Sequence, residues 1–198
     1  MIVLADNDII HKLACCELLP QLLIWLEVPP NQVWVLPSLQ YMLRRKLKSN
    51  VGALSCLNDF LSNVQPIPEA DINLMERYAR LDVGERQMLA VLVKNEKINK
   101  LVTGDKRALK LINDLVQTDF DLSHRLNETQ VDCLESIMLG LIDKFGFATI
   151  NEKVIGGLAT DGVLRLSFGS GRTQSHAVEA LNSYLSEVKT FASFVAQK

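Results

Sequence analysis

The amino-acid sequence predicts an α/β fold, a three-layer αβα domain with a short parallel sheet, followed by an α-rich C-terminal extension. Three short apolar runs, Ile2–Ala5, 33–36 and 101–103, are each bounded by polar or turn-forming residues and therefore predict buried strands. Segments with helical apolar spacing separate these runs. Because parallel strands are joined by helical crossovers, the alternation predicts a sheet that is covered by helices on both faces.

Each predicted strand ends at residues that stop a strand. The first, IVLA, runs directly into Asp6 and Asp8, with only Asn7 between them. The second, VWVL, is β-branched and aromatic and closes at Pro37. The third, LVT, is followed by Gly104.

Helices are predicted between and after these strands. The segment 85–94 shows the pattern most clearly, because Met88, Leu89, Leu92 and Val93 recur at helical spacing. The predicted helices of this part of the chain comprise residues 8–16, 18–26, 38–47, 53–64, 69–79, 85–94 and a helix that follows Asp105.

We assign residues 1–122 to the αβα domain and residues 123–198 to the mostly helical extension. The polar stretch TDFDLSHRLNETQ predicts a linker between them. Asn127 and Gln130 then occupy the cap and capping-box positions of a helix predicted over 131–145.

Alternating apolar residues in VLRLSF predict a strand at 163–168, and a last helix is expected over 173–195. A glycine-rich turn, GSGR, joins the two. Backbone N–H groups in such a turn can hold a phosphate, with Ser170 and Arg172 as contacts. A tight turn that requires positive φ at glycine is the alternative.

Composition and charge place the chain among globular proteins. Of its 198 residues, 48% are hydrophobic and 22% are charged, and the formal net charge is −2. The whole chain therefore lacks the basic character of a general nucleic-acid binder. The local basic run Arg44, Arg45, Lys46 and Lys48 is either a solvated helix face or a local patch for nucleic acid. In the second case a face of Tyr41, Arg44, Arg45 and Lys48 would stack on and contact a single strand.

The cysteines and the apolar segments point to a cytoplasmic protein. The four cysteines, at positions 15, 16, 56 and 133, show no C-x-x-C spacing and are expected to be reduced thiols. The N-terminus lacks the features of a signal peptide, and the longest apolar stretch is interrupted by polar residues. We therefore expect no association with a membrane.

Acids at element boundaries carry the functional argument. Asp6 ends the first strand, Glu85 opens a helix, and Asp105 follows the third strand. Because the carboxyl ends of parallel strands face a common crevice, these carboxylates are expected to converge. Carboxylates gathered in one crevice repel one another, so the arrangement predicts a site for a hard divalent cation, Mg²⁺ or Mn²⁺.

The segments ADNDII, VGERQMLAV and LVTGDKRAL, in this order, resemble the motifs of PIN-domain nucleases, and VWVLPS resembles the second strand and turn of that family. The resemblance covers roughly residues 1–120. It implies a metal-dependent endoribonuclease that hydrolyses RNA phosphodiester bonds, as in toxin–antitoxin toxins and RNA-processing enzymes. It also implies that Asp6, Glu85 and Asp105 are the catalytic residues and the ligands of Mg²⁺ or Mn²⁺.

The same resemblance suggests roles for neighbouring residues. Thr103 would orient Asp105 or a water molecule, while Lys106 and Arg107 would contact phosphates unless they are simply solvated helix residues. Asp8 is either a supporting acid beside the metal or a cap for the helix that follows it.

The sequence departs from the family in one respect. PIN nucleases usually carry another acid on the helix after the second strand, but residues 37–47 contain none. Either Asp8 replaces it or the site is depleted. A depleted protein would act as an interaction module.

A haloacid-dehalogenase-like phosphatase is the other enzyme class to consider. In such an enzyme Asp6 would be the nucleophile and Asp8 the general acid. The sequence lacks the further acid expected after Asp105, since Leu109 stands there, and Glu85 would have no role.

RNA is the expected partner. A protein partner is expected to dock through the C-terminal extension if one exists, and the sequence leaves a homo-oligomer open.

Overall fold

The computed structural model describes residues 2–195. The strands in this range are β1 (Ile2–Ala5), β2 (Val33–Val35), β3 (Gln65–Pro66), β4 (Ile98–Val102) and β5 (Gln130–Asp132). The α-helices are α1 (Asn7–Cys15), α2 (Leu19–Leu26), α3 (Leu39–Lys46), α4 (Val51–Leu61), α5 (Ile72–Arg77), α6 (Val83–Lys94), α7 (Lys106–Val116), α8 (Phe120–Glu128), α9 (Leu134–Phe145), α10 (Phe147–Val154), α11 (Gly162–Ser167) and α12 (Gln174–Phe191).

The five strands form one parallel sheet in the order β3-β2-β1-β4-β5. The strand β1 lies at its centre, where Leu4 pairs with Trp34 of β2 and with Leu101 of β4. Every connection between consecutive strands contains at least one helix, as parallel pairing requires. The predicted α/β class and parallel sheet are confirmed.

Side chains of β1 alternate between two apolar cores. Val3 and Ala5 belong to one core, whereas Leu4 belongs to the other, and all three are buried. The first core is completed by residues of α1, α2, α4 and α9, the second by residues of α5 to α8. The sheet is therefore covered on both faces, consistent with three layers.

The structure contains the three predicted strands and adds two short ones. β1 matches its predicted bounds and β2 ends one residue early, whereas β4 begins at Ile98, three residues before the predicted start, and ends before Thr103. β3 has two exposed residues and ends in Pro66, and β5 consists of Gln130, Val131 and Asp132. Neither contains the apolar run by which a strand is recognised in a sequence. Pairing with β2 and β4 fixes them as strands.

The stretch predicted as a linker is a helix. α8 begins after Asp119, whose carboxylate accepts a hydrogen bond from the backbone N–H of Leu122 at 3.0 Å. The predicted capping box at Asn127 and Gln130 is wrong, because Gln130 lies in β5 and the next helix begins at Leu134. A buried Leu122 shows that the stretch has an apolar face despite its polar composition.

The strand predicted at 163–168 is also wrong, since these residues form α11. Asp161 accepts hydrogen bonds from the N–H groups of Val163 and Leu164 and so caps the helix. Apolar letters alternate in this segment, but Leu166 is exposed whereas Val163, Leu164 and Ser167 are buried, which is helical spacing. In the following turn Gly169 and Gly171 have φ values of 127° and 76°, which supports the tight-turn interpretation.

Residues on both sides of position 122 share the same cores. Leu134 and Leu141 of α9 lie in the first core, and Leu185 and Val188 of α12 lie in the second. The boundary predicted at residue 122 falls inside α8 and stays a prediction. None of the helices in the described range is long and apolar enough to cross a membrane.

Gly140→Ala tests whether the C-terminal helices pack directly on the N-terminal ones. A Cβ at Gly140 of α9 would overlap Nε1 of Trp25 in α2 and lie 2.6 Å from its Cε2. We expect the substitution to lower the free energy of unfolding by about 1–3 kcal/mol, measured by urea denaturation.

Gly162→Ala is the matched control, because no atom lies within 4 Å of a Cβ built at that position. We expect it to change the free energy of unfolding by less than about 1 kcal/mol. Equal effects of the two substitutions would contradict the packing of α9 on α2.

Candidate active site

An open cavity of about 580 Å³ lies at the carboxyl edge of the sheet. The residues that follow β1 and β2 and the beginning of α6 form its walls, and Asp105 at the start of α7 completes it. Its acidic lining residues are Asp6, Asp8, Asp82, Glu85 and Asp105. We call this cavity the acidic pocket.

A larger cavity of about 970 Å³ lies elsewhere, between α5, α6 and α8. Its lining is charged, but its arginines are already paired within the fold. Arg125 bonds to Glu128 at 2.6 Å, and Arg77 bonds to Asp121 at 3.3 Å. The acidic pocket is therefore the better candidate for chemistry.

Asp6 is the most buried acid of the pocket. It follows β1 directly, and its carboxylate accepts a hydrogen bond of 3.1 Å from the hydroxyl of Thr103. Burial, and then the negative charges of Asp8 and Asp105, raise the pKa of Asp6 to about 6 against the opposing effect of the Thr103 hydrogen bond. A cation bound nearby would stabilise the ionised form of this carboxyl group and lower its pKa.

Glu85 and Asp82 form a reciprocal cap at the start of α6. Glu85 Oε2 accepts from the Asp82 N–H at 2.9 Å, and Asp82 Oδ1 accepts from the Glu85 N–H at 2.8 Å. Burial raises the pKa of Glu85, and the charges of Asp82, Asp105 and Asp6 add to the shift. Glu85 Oε1 is left free of this cap.

Asp82 is a pocket residue that the sequence reasoning missed. The predicted helix began at Glu85, whereas α6 begins at Val83 with Asp82 as its cap. The signal was present in the sequence as an acid three residues before a glutamate, which is a capping-box pattern.

Asp105 caps α7 with one oxygen. Its Oδ1 accepts from the N–H groups of Arg107 and Ala108 at 2.7 and 3.1 Å, so Oδ2 is not needed for the cap. Thr103 contacts two of the three predicted ligands, since its hydroxyl donates to Asp6 and accepts from the Asp105 N–H at 3.5 Å. Thr103 therefore ties the ends of β1 and β4 together.

Asp8 is held by a buried lysine. Lys12 lies 2.6 Å from Asp8 Oδ2 and 2.9 Å from Asp161 Oδ2. Burial opposes the charge on Lys12, but the hydrogen bonds with the two carboxylates outweigh it and raise its pKa. A Cβ at Gly104 would lie 2.7 Å from Asp8 Oδ2, so Asp8 also packs against the turn before Asp105.

The two predicted phosphate contacts differ in their surroundings. Lys106 lies 3.1 Å from the buried carboxylate of Glu135 and 5.0 Å from the centre of the Tyr184 ring. Arg107 is exposed. Lys106 is therefore engaged within the fold, whereas the side chain of Arg107 faces solvent.

The wall formed by α3 and the residue before it contains no acid. Ser38 and Met42 line the pocket there, and Asn7 Nδ2 lies 3.9 Å from Met42 Sδ. The side-chain oxygen of Asn7 is buried and accepts no hydrogen bond. The acid expected on this helix from the PIN resemblance has no counterpart in the described structure.

The donor chemistry of the pocket fits a hard divalent cation. Carboxylate oxygens of Asp6, Glu85 and Asp105 and the buried amide oxygen of Asn7 are the ligand types that Mg²⁺ and Mn²⁺ prefer. Within residues 2–195, no three His, Cys, Asp or Glu side chains are already gathered as ligands of one ion. Binding would thus require side-chain rotation, chiefly at the capped Glu85 and Asp105.

Comparisons with known proteins add no family to this description. No protein-family model matches the chain, and neither a curated protein nor a solved structure is detectably similar to it.

Asp6→Asn should stabilise the metal-free protein at neutral and alkaline pH. The folded-state pKa of about 6 lies above the ordinary value of 3.8, so the folded protein keeps a proton that the unfolded chain has released between these values. Wild-type stability therefore falls as pH rises through this window. We expect the variant to be more stable by about 2 kcal/mol at pH 8 and to lose this advantage near pH 4.

The measurement is urea denaturation in EDTA at both pH values. Asp59→Asn, which removes an exposed carboxylate on α4, is the control and should change the free energy of unfolding by less than about 0.5 kcal/mol at either pH. An Asp6→Asn variant that is no more stable than wild type at pH 8 would contradict the raised pKa of a buried carboxyl group at this position.

Proposed function

We propose that this protein is a metal-dependent ribonuclease of the PIN type, acting through Asp6, Glu85 and Asp105. The observation that carries the proposal is the convergence of these three acids, a hundred residues apart in the chain, on one pocket at the carboxyl edge of a parallel sheet. The mutual effect of their charges on the pKa values of Asp6 and Glu85 supports their proximity.

Each acid has one carboxylate oxygen outside the hydrogen bonds described above, and side-chain rotation would bring these oxygens to one ion. Glu85 and Asp105 use one oxygen for a helix cap, and Asp6 uses Oδ2 for Thr103. Asp6, Glu85 and Asp105 would hold Mg²⁺ or Mn²⁺, which would supply a water of lowered pKa and positive charge for the hydrolysis of a phosphodiester. Thr103 positions Asp6, and the Lys12–Asp8 pair supports the turn that carries Asp105.

The contacts of Asp8 favour a nuclease over a phosphatase of the haloacid-dehalogenase type. In the phosphatase Asp8 would have to exchange a proton with the leaving group above Asp6. In this structure the Asp8 carboxylate is instead engaged by Lys12 at 2.6 Å and packs against the turn at Gly104. These contacts suit Asp8 to hold the turn before Asp105.

The acid-free wall at Ser38 and Met42 favours one second candidate, a PIN-like interaction module without catalysis. Fewer carboxylate ligands bind a divalent ion more weakly. Metal affinity and RNA cleavage, measured together, separate the two candidates.

We expect calorimetry to show Mn²⁺ binding to the wild-type protein in the micromolar to low-millimolar range, and the protein to cleave a mixed single-stranded RNA pool. The double variant Asp6→Asn with Asp105→Asn should lose both, because the substitutions replace two of the anionic ligands with neutral amides. Asn retains the acceptor for Thr103 and the cap for α7, so the fold should be preserved.

Asp59→Asn with Asp114→Asn is the control for a loss of two acidic charges, since both residues are outside the pocket. It should bind Mn²⁺ and cleave RNA as wild type does. Retention of cleavage by the Asp6/Asp105 variant would refute the proposal, and absence of both binding and cleavage in the wild type would favour the interaction module.

A further inference from the structure

One wall of the acidic pocket is strongly basic just beyond its edge. α3 carries Met42 in the pocket lining and then Arg44, Arg45 and Lys46 in its last turn, with Lys48 shortly after it. All four cations are exposed. A basic helix therefore adjoins an acidic cavity.

The positive charge of this helix is not neutralised by the surrounding chain. No Asp or Glu occurs in the sequence between Glu27 and Asp59. Among the described residues, none of the four cations takes part in an ion pair. Unpaired cations in a chain of net charge −2 leave a local field that attracts an anion.

The other flank of the pocket, beside Asp105, is neutralised only in part. Arg80 and Lys106 line a shallow cavity there, but Arg80 is paired with Asp114 at 3.1 Å and Lys106 with Glu135 at 3.1 Å. Arg107 and Lys110 also line it, and neither takes part in an ion pair among the described residues. With four such cations against two, the α3 side offers the larger free positive charge.

An exposed aromatic side chain accompanies the cations. Tyr41 is 73% exposed and Met42 is 54% exposed, so both present apolar surface to solvent beside the pocket. In an α-helix Arg45 lies one turn beyond both of them, and Lys46 lies one turn beyond Met42. Tyr41, Arg45 and Lys46 therefore form a continuous surface that leads to the pocket, which we call the α3 face.

The chemistry of the α3 face matches one kind of ligand. Guanidinium and ammonium groups bind phosphates, and an exposed tyrosine ring stacks on an unpaired base. A pocket with five carboxylates repels a phosphate chain, so a substrate of that kind needs cations beside the pocket to hold it. Bases in a duplex are already stacked, so an exposed ring favours a single strand.

We propose that the α3 face binds single-stranded RNA and directs it into the acidic pocket, an inference that rests on the proposed ribonuclease function. Arg45 and Lys46 contact successive phosphates, and Tyr41 stacks on a base between them and the pocket. The helix that usually carries an acid in PIN nucleases corresponds to α3 here, and on this proposal its basic residues bind the substrate.

The test measures binding of a short fluorescent single-stranded RNA by anisotropy in EDTA, where metal-dependent cleavage cannot occur, over a range of salt concentrations. Arg45→Gln with Lys46→Gln should weaken binding and lower the slope of log affinity against log salt by about 1.4, the value for two lost phosphate contacts. Tyr41→Ala should weaken binding by roughly tenfold, whereas Tyr41→Phe, which keeps the ring, should bind as wild type does.

Arg165→Gln with Lys189→Gln is the matched control. Both residues are exposed and lie outside the acidic pocket, so the same loss of charge there should leave the salt slope unchanged. An equal decrease in slope for both pairs would overturn the proposal, because binding would then depend on overall charge alone. Circular dichroism of each variant confirms that the fold is retained.

Two competitors test the class of ligand. If the duplex of the same sequence binds as tightly as the single strand and Tyr41→Ala has no effect, the stacking role is refuted. If polyglutamate displaces the RNA at matched charge, the α3 face binds an acidic protein instead, and the proposal is wrong.

Cleavage of the same RNA in Mn²⁺ separates this inference from the proposed function. If the wild type cleaves RNA and the α3 variants bind RNA with the affinity and salt slope of the wild type, the role of the α3 face is refuted. The proposed ribonuclease function is then unaffected. If the wild type does not cleave RNA but binds it through Tyr41, Arg45 and Lys46, the ribonuclease fails and the α3 face stands as an RNA-binding surface.

Discussion

The parallel pairing of β1 with β4 is the interaction on which the candidate site depends. The backbone N–H of Asp6 donates to the carbonyl of Val102 at 2.9 Å, so the sheet ladder continues to the first pocket residue. The N–H of Thr103 donates in turn to the carbonyl of Asp132 at the end of β5. With the backbones locked in this register, the Thr103 hydroxyl meets the Asp6 carboxylate, and Asp105 follows two residues later. A change in register of one residue would turn every one of these side chains to the opposite face.

Helix N-termini lower the electrostatic free energy of placing several acids in one pocket. Asp82 caps α6 with Glu85 in its first turn, and Asp105 caps α7, whereas Asp6 occupies the cap position of α1 without a side-chain cap hydrogen bond. Free N–H groups and the helix dipole favour negative charge at each of these positions. Burial and mutual repulsion still raise the pKa values of Asp6 and Glu85, so the caps offset the cost only in part. The remaining electrostatic strain is what a divalent cation would relieve.

The C-terminal helices supply ion-pair partners for residues of the acidic pocket and beside it. Asp161, which caps α11, shares Lys12 with Asp8, and Glu135 in the first turn of α9 holds Lys106 beside Asp105. These ion pairs connect residues beyond position 122 to both sides of the acidic cluster. They also neutralise Lys12 and Lys106, two cations that lie beside acids of the pocket.

The sequence by itself determined the α/β class, the central strand Ile2–Ala5 and the acids at strand and helix ends, because strong apolar runs and abrupt polar stops are local signals. It did not determine β5, whose three residues are a strand only through pairing with β4. It misassigned 163–168, where alternation suggested a strand but the Asp161 cap starts a helix. The convergence of Asp6, Glu85 and Asp105 was inferred from the topology of a parallel sheet. The tertiary structure decided three further features. Asp82 lines the pocket, Asp8 is paired with Lys12, and Lys106 is paired with Glu135. These contacts join residues distant in the chain, and no local pattern encodes which distant partner a buried charge will meet.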